Sequence, residues 1–187
     1  MAQPKTIGSG EIQTAIERLA KAISERHAEA RHLLLLGIAN GGVELARRLA
    51  TRLSALAPQR PAHAGIVDIS FHRDDIAHNP IPKEFAPTHI PADVNDATVI
   101  LVDDVLFSGR TVKAALDELF DHGRPTKVEL AVLVDRGGRR LPFSADYTGI
   151  NLDAGPAENV FVRLDPAAPT KDEIRVAAAP ATRTSEI

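Results

Sequence analysis

Apolar residues along this chain follow two alternating rhythms. In EIQTAIERLAKAISERHAEA, Ile12, Ala15, Ile16, Leu19, Ala20 and Ile23 recur every three or four positions. That spacing puts one apolar stripe on a helix, with Ser9 placed to cap it. HLLLLGI, His32 to Ile38, is instead an unbroken apolar run, short enough for a strand buried on both faces. Helical spacing resumes in VELARRLATRLSAL through Val43, Ala46, Leu49, Ala50 and Leu53. In GIVDISFH, Val67, Ile69 and Phe71 alternate with Asp68, Ser70 and His72, as expected of a strand with one wet face. A buried strand over Thr98–Asp103 leads to a helix from about Thr111, whose Val112, Ala115, Leu116 and Leu119 share a face. Gly123 and Pro125 end that helix. KVELAVLVD reads as another buried strand, and ADYTGI and NVFVRL as shorter ones.

Strands alternating with helices predict an α/β fold: a mostly parallel central sheet, right-handed crossovers and helices on both faces. Between Asp74 and Asn95 the pattern dissolves around four prolines, which predicts a long flexible loop of the kind that serves as a lid or binding loop. Residues 1–166 are expected to form a single domain, and residues 167–187 a frayed C-terminal tail. In a sheet of this type ligands bind beyond the carboxyl ends of the strands. Three segments rich in glycine or charge leave those ends: Ala39–Gly42, Asp103–Arg110 and Asp135–Arg140.

Composition narrows the chemistry. With 187 residues, 44% of them hydrophobic and 25% charged, the chain suits one globular domain with a sizeable core. The absence of cysteine excludes disulfides, thiolate metal sites and a cysteine nucleophile. No apolar run is long enough to span a bilayer, and MAQPKTIGSG lacks the apolar core of a signal peptide, so a cytoplasmic protein is expected. A net charge of −3 disfavours wholesale nucleic-acid binding while leaving room for a local basic face. His72, His78 and His89 have no recognisable metal-ligand spacing.

The densest chemistry lies in DDVLFSGRT, Asp103 to Thr111. A turn opening into a helix offers unpaired backbone N–H donors and the positive end of the helix dipole. Ser108 and Thr111 add hydroxyls, and Gly109 lets the backbone curl around a phosphate. Carboxylates beside a phosphate nest would repel a bare phosphate. They fit a ligand with hydroxyls nearby, such as ribose, or one carrying Mg²⁺. Strand, acid pair, hydroxyl-rich turn and helix together read as a cradle for ribose 5-phosphate. The plainer alternative is a strand end whose acids merely cap a helix.

The stretch VILVDDVLFSGRT resembles the phosphoribosyl-pyrophosphate (PRPP) signature of type I phosphoribosyltransferases. With DISFHRDD, HIPADV, GRP and LAVLVDRGGRRLPFSADYTG, the resemblance narrows to the PyrR family and runs from about Glu11 to Leu164. It implies the type I phosphoribosyltransferase fold and transfer of ribose 5-phosphate from PRPP to uracil, giving UMP and pyrophosphate. It also implies Mg²⁺ with PRPP, and a homodimer or higher homo-oligomer. Asp103 and Asp104 would hold the ribose hydroxyls and the Mg²⁺, with Val105, Leu106, Phe107, Ser108, Gly109, Arg110 and Thr111 completing the PRPP site. Ala39, Asn40, Gly41 and Gly42 correspond to the pyrophosphate loop. Val134, Asp135, Arg136 and Gly137 would form the uracil pocket, and Arg73, with Lys83, would close over the pyrophosphate.

Many PyrR proteins also regulate pyrimidine operons by binding leader mRNA, for which the resemblance offers Lys21, Arg26 and Arg139. Departures fall mostly on this second role: Glu17 replaces a hydroxyl, and Ser144 and Ile150 stand where Arg and Lys are expected. The pyrophosphate loop reads Asn40-Gly41-Gly42 in place of Thr-Arg-Gly. An enzyme acting on uracil is thus the first expectation. An RNA-binding regulator that senses UMP or PRPP, and a transferase for another base, are the alternatives.

Overall fold

The computed structural model describes residues 5–30, 32–70, 72 and 87–178. Its centre is a parallel five-stranded sheet, formed by β2 (Leu33–Ile38), β3 (His63–Val67), β4 (Thr98–Leu106), β5 (Lys127–Asp135) and β6 (Tyr147–Asn151), in the order β3-β2-β4-β5-β6. The aliphatic runs are strands because both sheet faces are covered. Helices α1 (Ser9–Arg26) and α2 (Gly41–Leu56) bury their stripes against Leu35, Ile100, Val102, Ala131 and Leu133. The other face, Leu34, Leu36, Val99, Leu101, Leu130 and Val132, takes Val112, Ala115 and Leu119 of α3 (Arg110–Asp121). Alternate residues of one run thus serve opposite cores.

Several elements differ from the sequence expectation. Gly8, in an extended conformation, occupies the cap position of α1, and Ser9 is already helical. Strand β3 stops at Val67 although the alternation continues, because the Asp68 carboxylate turns back to accept from the Ser70 N–H (2.9 Å) and hydroxyl (2.6 Å). Strand β4 runs three residues beyond Asp103, its ladder continuing through Val105↔Val134 and Leu106↔Asp135.

The expected frayed tail over 167–187 is corrected as far as Ala178, and residues 179–187 lie outside the described residues. A 3-10 turn (Pro169–Lys171) leads into β8 (Glu173–Ala178), the middle strand of an antiparallel sheet with β1 (Lys5–Gly8) and β7 (Glu158–Arg163). Ile174 is fully buried there, and an ion pair between buried Arg48 of α2 and Asp172 ties this small sheet to the main body. The Asp172 carboxylate also accepts from Gln13 Nε2 (2.9 Å) and the Asp165 N–H (2.8 Å), which leaves no oxygen of this buried acid unmet.

At the amino end of the sheet, buried Glu129 of β5 gathers Lys127 Nζ (2.5 Å), His27 Nε2 (2.6 Å), Tyr147 Oη (2.7 Å) and Arg26 Nη2 (3.0 Å). Burial alone would raise this carboxyl, but hydrogen bonds from Lys127, Tyr147 and His27 outweigh it and hold it at about 2, below its ordinary 4.5. With the folded value below the unfolded one, the stabilisation is present above pH 4.5 and lost as pH falls toward 2. Glu129→Gln should therefore cost about 2 kcal/mol at pH 7, and the gap to wild type should narrow progressively below pH 4.5 in urea titrations.

Candidate active site

Strand β4 is central, and its carboxyl end carries the acid pair into a crevice between neighbouring loops. Asp103 is 5% exposed, and its Oδ1 accepts the Asp104 backbone N–H at 3.0 Å. Among the described residues no cation pairs with either carboxylate. Burial, then the neighbouring Asp104 charge, pushes the Asp103 carboxyl well above the ordinary range, and burial also raises Asp104.

The Ala39–Gly42 segment lies directly over this pair. Ala39 and Asn40 form the turn after β2, with a cis peptide between them, and Gly41 and Gly42 start α2. A Cβ on Gly41 would stand 2.5 Å from the Asp104 carboxylate, and one on Gly42 only 1.9 Å from the Val102 carbonyl oxygen. These glycines are what allow a helix start, with its free N–H groups, to close on the end of β4.

On the other side of the acids, Phe107, Ser108 and Gly109 form the turn into α3, and Arg110 and Thr111 are its first residues. Gly109 is left-handed (φ 88°), and a side chain there would strike Phe143 at 2.9 Å. Among the described residues nothing accepts a hydrogen bond from the backbone N–H of Phe107, Ser108 or Gly109. Three consecutive open donors at a helix start form an anion nest.

The third loop leaves β5 after Val134 and Asp135. The Asp135 carboxylate accepts the Gly137 N–H at 2.9 Å, and Gly137 and Gly138 both have positive φ (71° and 76°). Arg136 is buried. Its Nη1 and Nη2 donate to the carbonyls of Glu158 (2.8 Å) and Gly155 (3.1 Å), its guanidinium lies 4.1 Å from the centre of the Phe107 ring, and its Nε has no partner. Arg136 is thus not paired with the adjacent Asp135, which binds Arg139 instead. It joins the loop after β5 to β7.

The three predicted loops therefore meet at one edge. Arg73 and Lys83 lie outside the described residues, but the ends flanking that segment are fixed: the Asp68 N–H donates to Thr88 Oγ1 (3.0 Å), and His89 bridges Ile66. The three candidate RNA contacts separate. Lys21 is exposed on α1 and faces Glu25 at 3.8 Å. Arg26 is bound to Glu129, and Arg139 is drawn into the site's own loops.

One cluster escaped the sequence reading. His72 Nε2 lies 3.0 Å from Glu118 and 3.7 Å from Asp121, and Glu118 also accepts from Thr88 Oγ1 (2.6 Å) and contacts His122 (3.1 Å). Its members satisfy one another and fasten the segment around His72 to α3. Only Glu118 and His122, four apart on a helix, were legible as neighbours.

Residues 8–165 match the phosphoribosyl transferase domain. A protein of Deinococcus deserti named Bifunctional protein PyrR is 47% identical over 169 residues, spanning 88% of this chain and 90% of its own. The protein of that name from Streptomyces coelicolor is 50% identical over 155 residues, 82% of this chain and 79% of that one. Among solved structures, the hypoxanthine phosphoribosyltransferase of Trypanosoma cruzi superposes with a TM-score of 0.66 at 23% identity, covering 92% of this chain and 95% of that chain. At that identity the likeness speaks for the fold. Among the described residues no helix is long and apolar enough to cross a membrane. With its acid pair, open N–H turn and glycine-rich helix start at one sheet edge, the chain belongs to the phosphoribosyltransferase family, in its PyrR branch.

Proposed function

We propose that this phosphoribosyltransferase acts on uracil, displacing pyrophosphate from PRPP to give UMP. The observation that carries the reading is the Asp103–Asp104 pair, with Asp103 buried and no cation paired to either acid among the described residues, set between the Gly41–Gly42 helix start and the open N–H groups of Phe107–Gly109. Only a ligand that presents hydroxyls or a metal to the acids, and phosphate to both sides, answers all three features. Uracil is preferred to a purine because the PyrR relatives are 47% and 50% identical, against 23% for the hypoxanthine enzyme.

In this reading the Phe107–Thr111 turn holds the 5′-phosphate, Asp103 and Asp104 accept from the ribose hydroxyls, and the Ala39–Gly42 segment meets the pyrophosphate. The Val134–Gly137 loop presents main-chain groups to the base, and Arg73 closes over the leaving group. Two raised carboxyls beside one another suit a cation, so Asp103 and Asp104 would hold Mg²⁺. When bound, it supplies positive charge to the departing pyrophosphate. The rest of the task is positioning and exclusion of water, since the transferring sugar develops cationic character and would otherwise be hydrolysed. Exposed Leu56, Phe120 and Phe161 give the chain apolar surface for self-association as a dimer or larger assembly.

A second reading follows from the relatives' name, bifunctional: a regulator that binds leader RNA with little catalysis. Lys21 is open to such a role, whereas Arg26 and Arg139 are engaged internally. A UMP-dependent, salt-sensitive gel shift of pyrimidine-leader RNA without turnover would favour it.

The deciding assay is pyrophosphate release from PRPP and Mg²⁺ with uracil, hypoxanthine or no base. Release should require uracil and fall by about a hundredfold or more in Asp104→Asn, with the fold intact by circular dichroism. Release with hypoxanthine alone would move the chain to purines. Gly42→Ala, whose Cβ cannot fit 1.9 Å from a carbonyl oxygen, should push α2 off β4 and raise the KM for PRPP roughly tenfold or more.

A further inference from the structure

Arg139 carries an arrangement that surface exposure of a basic side chain would not require. Its Nε donates to the Phe143 carbonyl (3.0 Å) and its Nη1 to the carbonyls of Leu106 (3.2 Å) and Phe107 (3.0 Å). Its Nη2 pairs with the Asp135 carboxylate, whose other oxygen holds the Gly137 N–H. One guanidinium therefore grips the phosphate turn, the base-side loop and the segment leading to β6. Only a planar fork with several fixed donors can do this, and an ammonium cannot.

The two carbonyls it holds decide the direction of the phosphate donors. In a trans peptide the C=O and the following N–H point opposite ways. Drawing the Leu106 and Phe107 carbonyls toward Arg139 therefore turns the Phe107 and Ser108 N–H groups away from it, and among the described residues those N–H groups have no acceptor. The same two loops also meet through side-chain packing: a Cβ on Gly138 would stand 2.6 Å from the Phe107 ring, beneath which Arg136 lies. Packing fixes how close the loops sit. The Leu106 carbonyl also accepts the Arg136 N–H (3.2 Å), so Arg139 shares that peptide with a backbone bond, while among the described residues it alone holds the Phe107 carbonyl.

We propose that Arg139 is a positioning residue of the transferase site, orienting the N–H groups that receive the 5′-phosphate while anchoring the base-side loop through Asp135. The inference deepens the uracil reading and rests on it for the choice of probe.

The experiment compares UMP with uridine by calorimetry on wild type, Arg139→Ala and Arg139→Lys, with circular dichroism as a check on folding. Wild type should prefer UMP, and both variants should lose about tenfold or more of that preference while uridine affinity changes far less. In steady state the loss should appear in the KM for PRPP more than in kcat. A purely structural role would lower the melting temperature and leave the UMP-to-uridine ratio in place. A role confined to RNA would leave the ratio and the kinetics unchanged while weakening leader-RNA binding. Either result overturns the inference, as does full restoration by lysine, which would reduce the role to charge. Should Arg139→Ala fail to fold, Arg139→Lys decides alone. If wild type binds neither uracil compound, the uracil reading fails, and the same ratio is read with IMP and inosine.

Discussion

The site is organised around two adjacent carboxylates at the end of the central strand, one buried and one half-buried, with no cation among the described residues to balance them. Burial penalises each ionised form, and the neighbouring Asp104 charge adds to the penalty at Asp103, so both carboxyls are raised. Such a pair is stable in the folded chain only by taking up a proton or receiving a cation. The surroundings keep that need in place. Gly41 brings main chain, not a basic side chain, against Asp104, and Gly42 seals the helix start on β4. The acid pair therefore remains open to a polyhydroxylated or metal-bearing ligand, whose binding competes with protonation.

Glu129 makes the contrast. It lies on β5, which pairs with β4, and it is as buried as Asp103, but at the opposite end of the sheet. Lys127, His27, Tyr147 and Arg26 surround it, and its carboxyl falls to about 2. Two buried acids in one core thus move in opposite directions. The compensated one holds elements together, and the uncompensated pair marks the place where a ligand completes the electrostatics.

Much of this was legible in the chain itself. Each aliphatic run became a strand, because full burial on both faces of a parallel sheet demands unbroken apolar sequence. The acid pair, the Ser108–Gly109 turn and the Ala39–Gly42 segment met where strand–helix alternation places ligands. The small antiparallel sheet was not legible. KTIG is too short to carry a period, and Lys5 pairs with Val176 across nearly the whole chain, so nothing local announces the contact. EIRVAA alternates and NVFVRL reads as a strand, but β8 is also paired on its other edge with β1, which lies at the far end of the sequence. For Arg26 and Arg139 the resemblance named positions and not side-chain directions: their long side chains reach inward to Glu129 and to the Leu106 and Phe107 carbonyls.

That inward reach has a consequence for how the site handles anions. Arg136 and Arg139, the cations nearest the base-side loop, are both occupied with backbone carbonyls and so give shape to the loops instead of charge to a ligand. In the proposed reading the 5′-phosphate is met by the peptide N–H groups of the turn into α3, and the pyrophosphate by the start of α2 with Arg73 closing over it. The partial charges of helix starts act only over short distances and only in register. A site built this way distinguishes its ligand by where the phosphate, hydroxyls and base stand relative to one another. Net negative charge alone is a poor key to it, because the acid pair repels any anion that arrives without hydroxyls or a metal to offer. The same arginines that appear from sequence to advertise an anion site are thus what makes its peptide geometry selective.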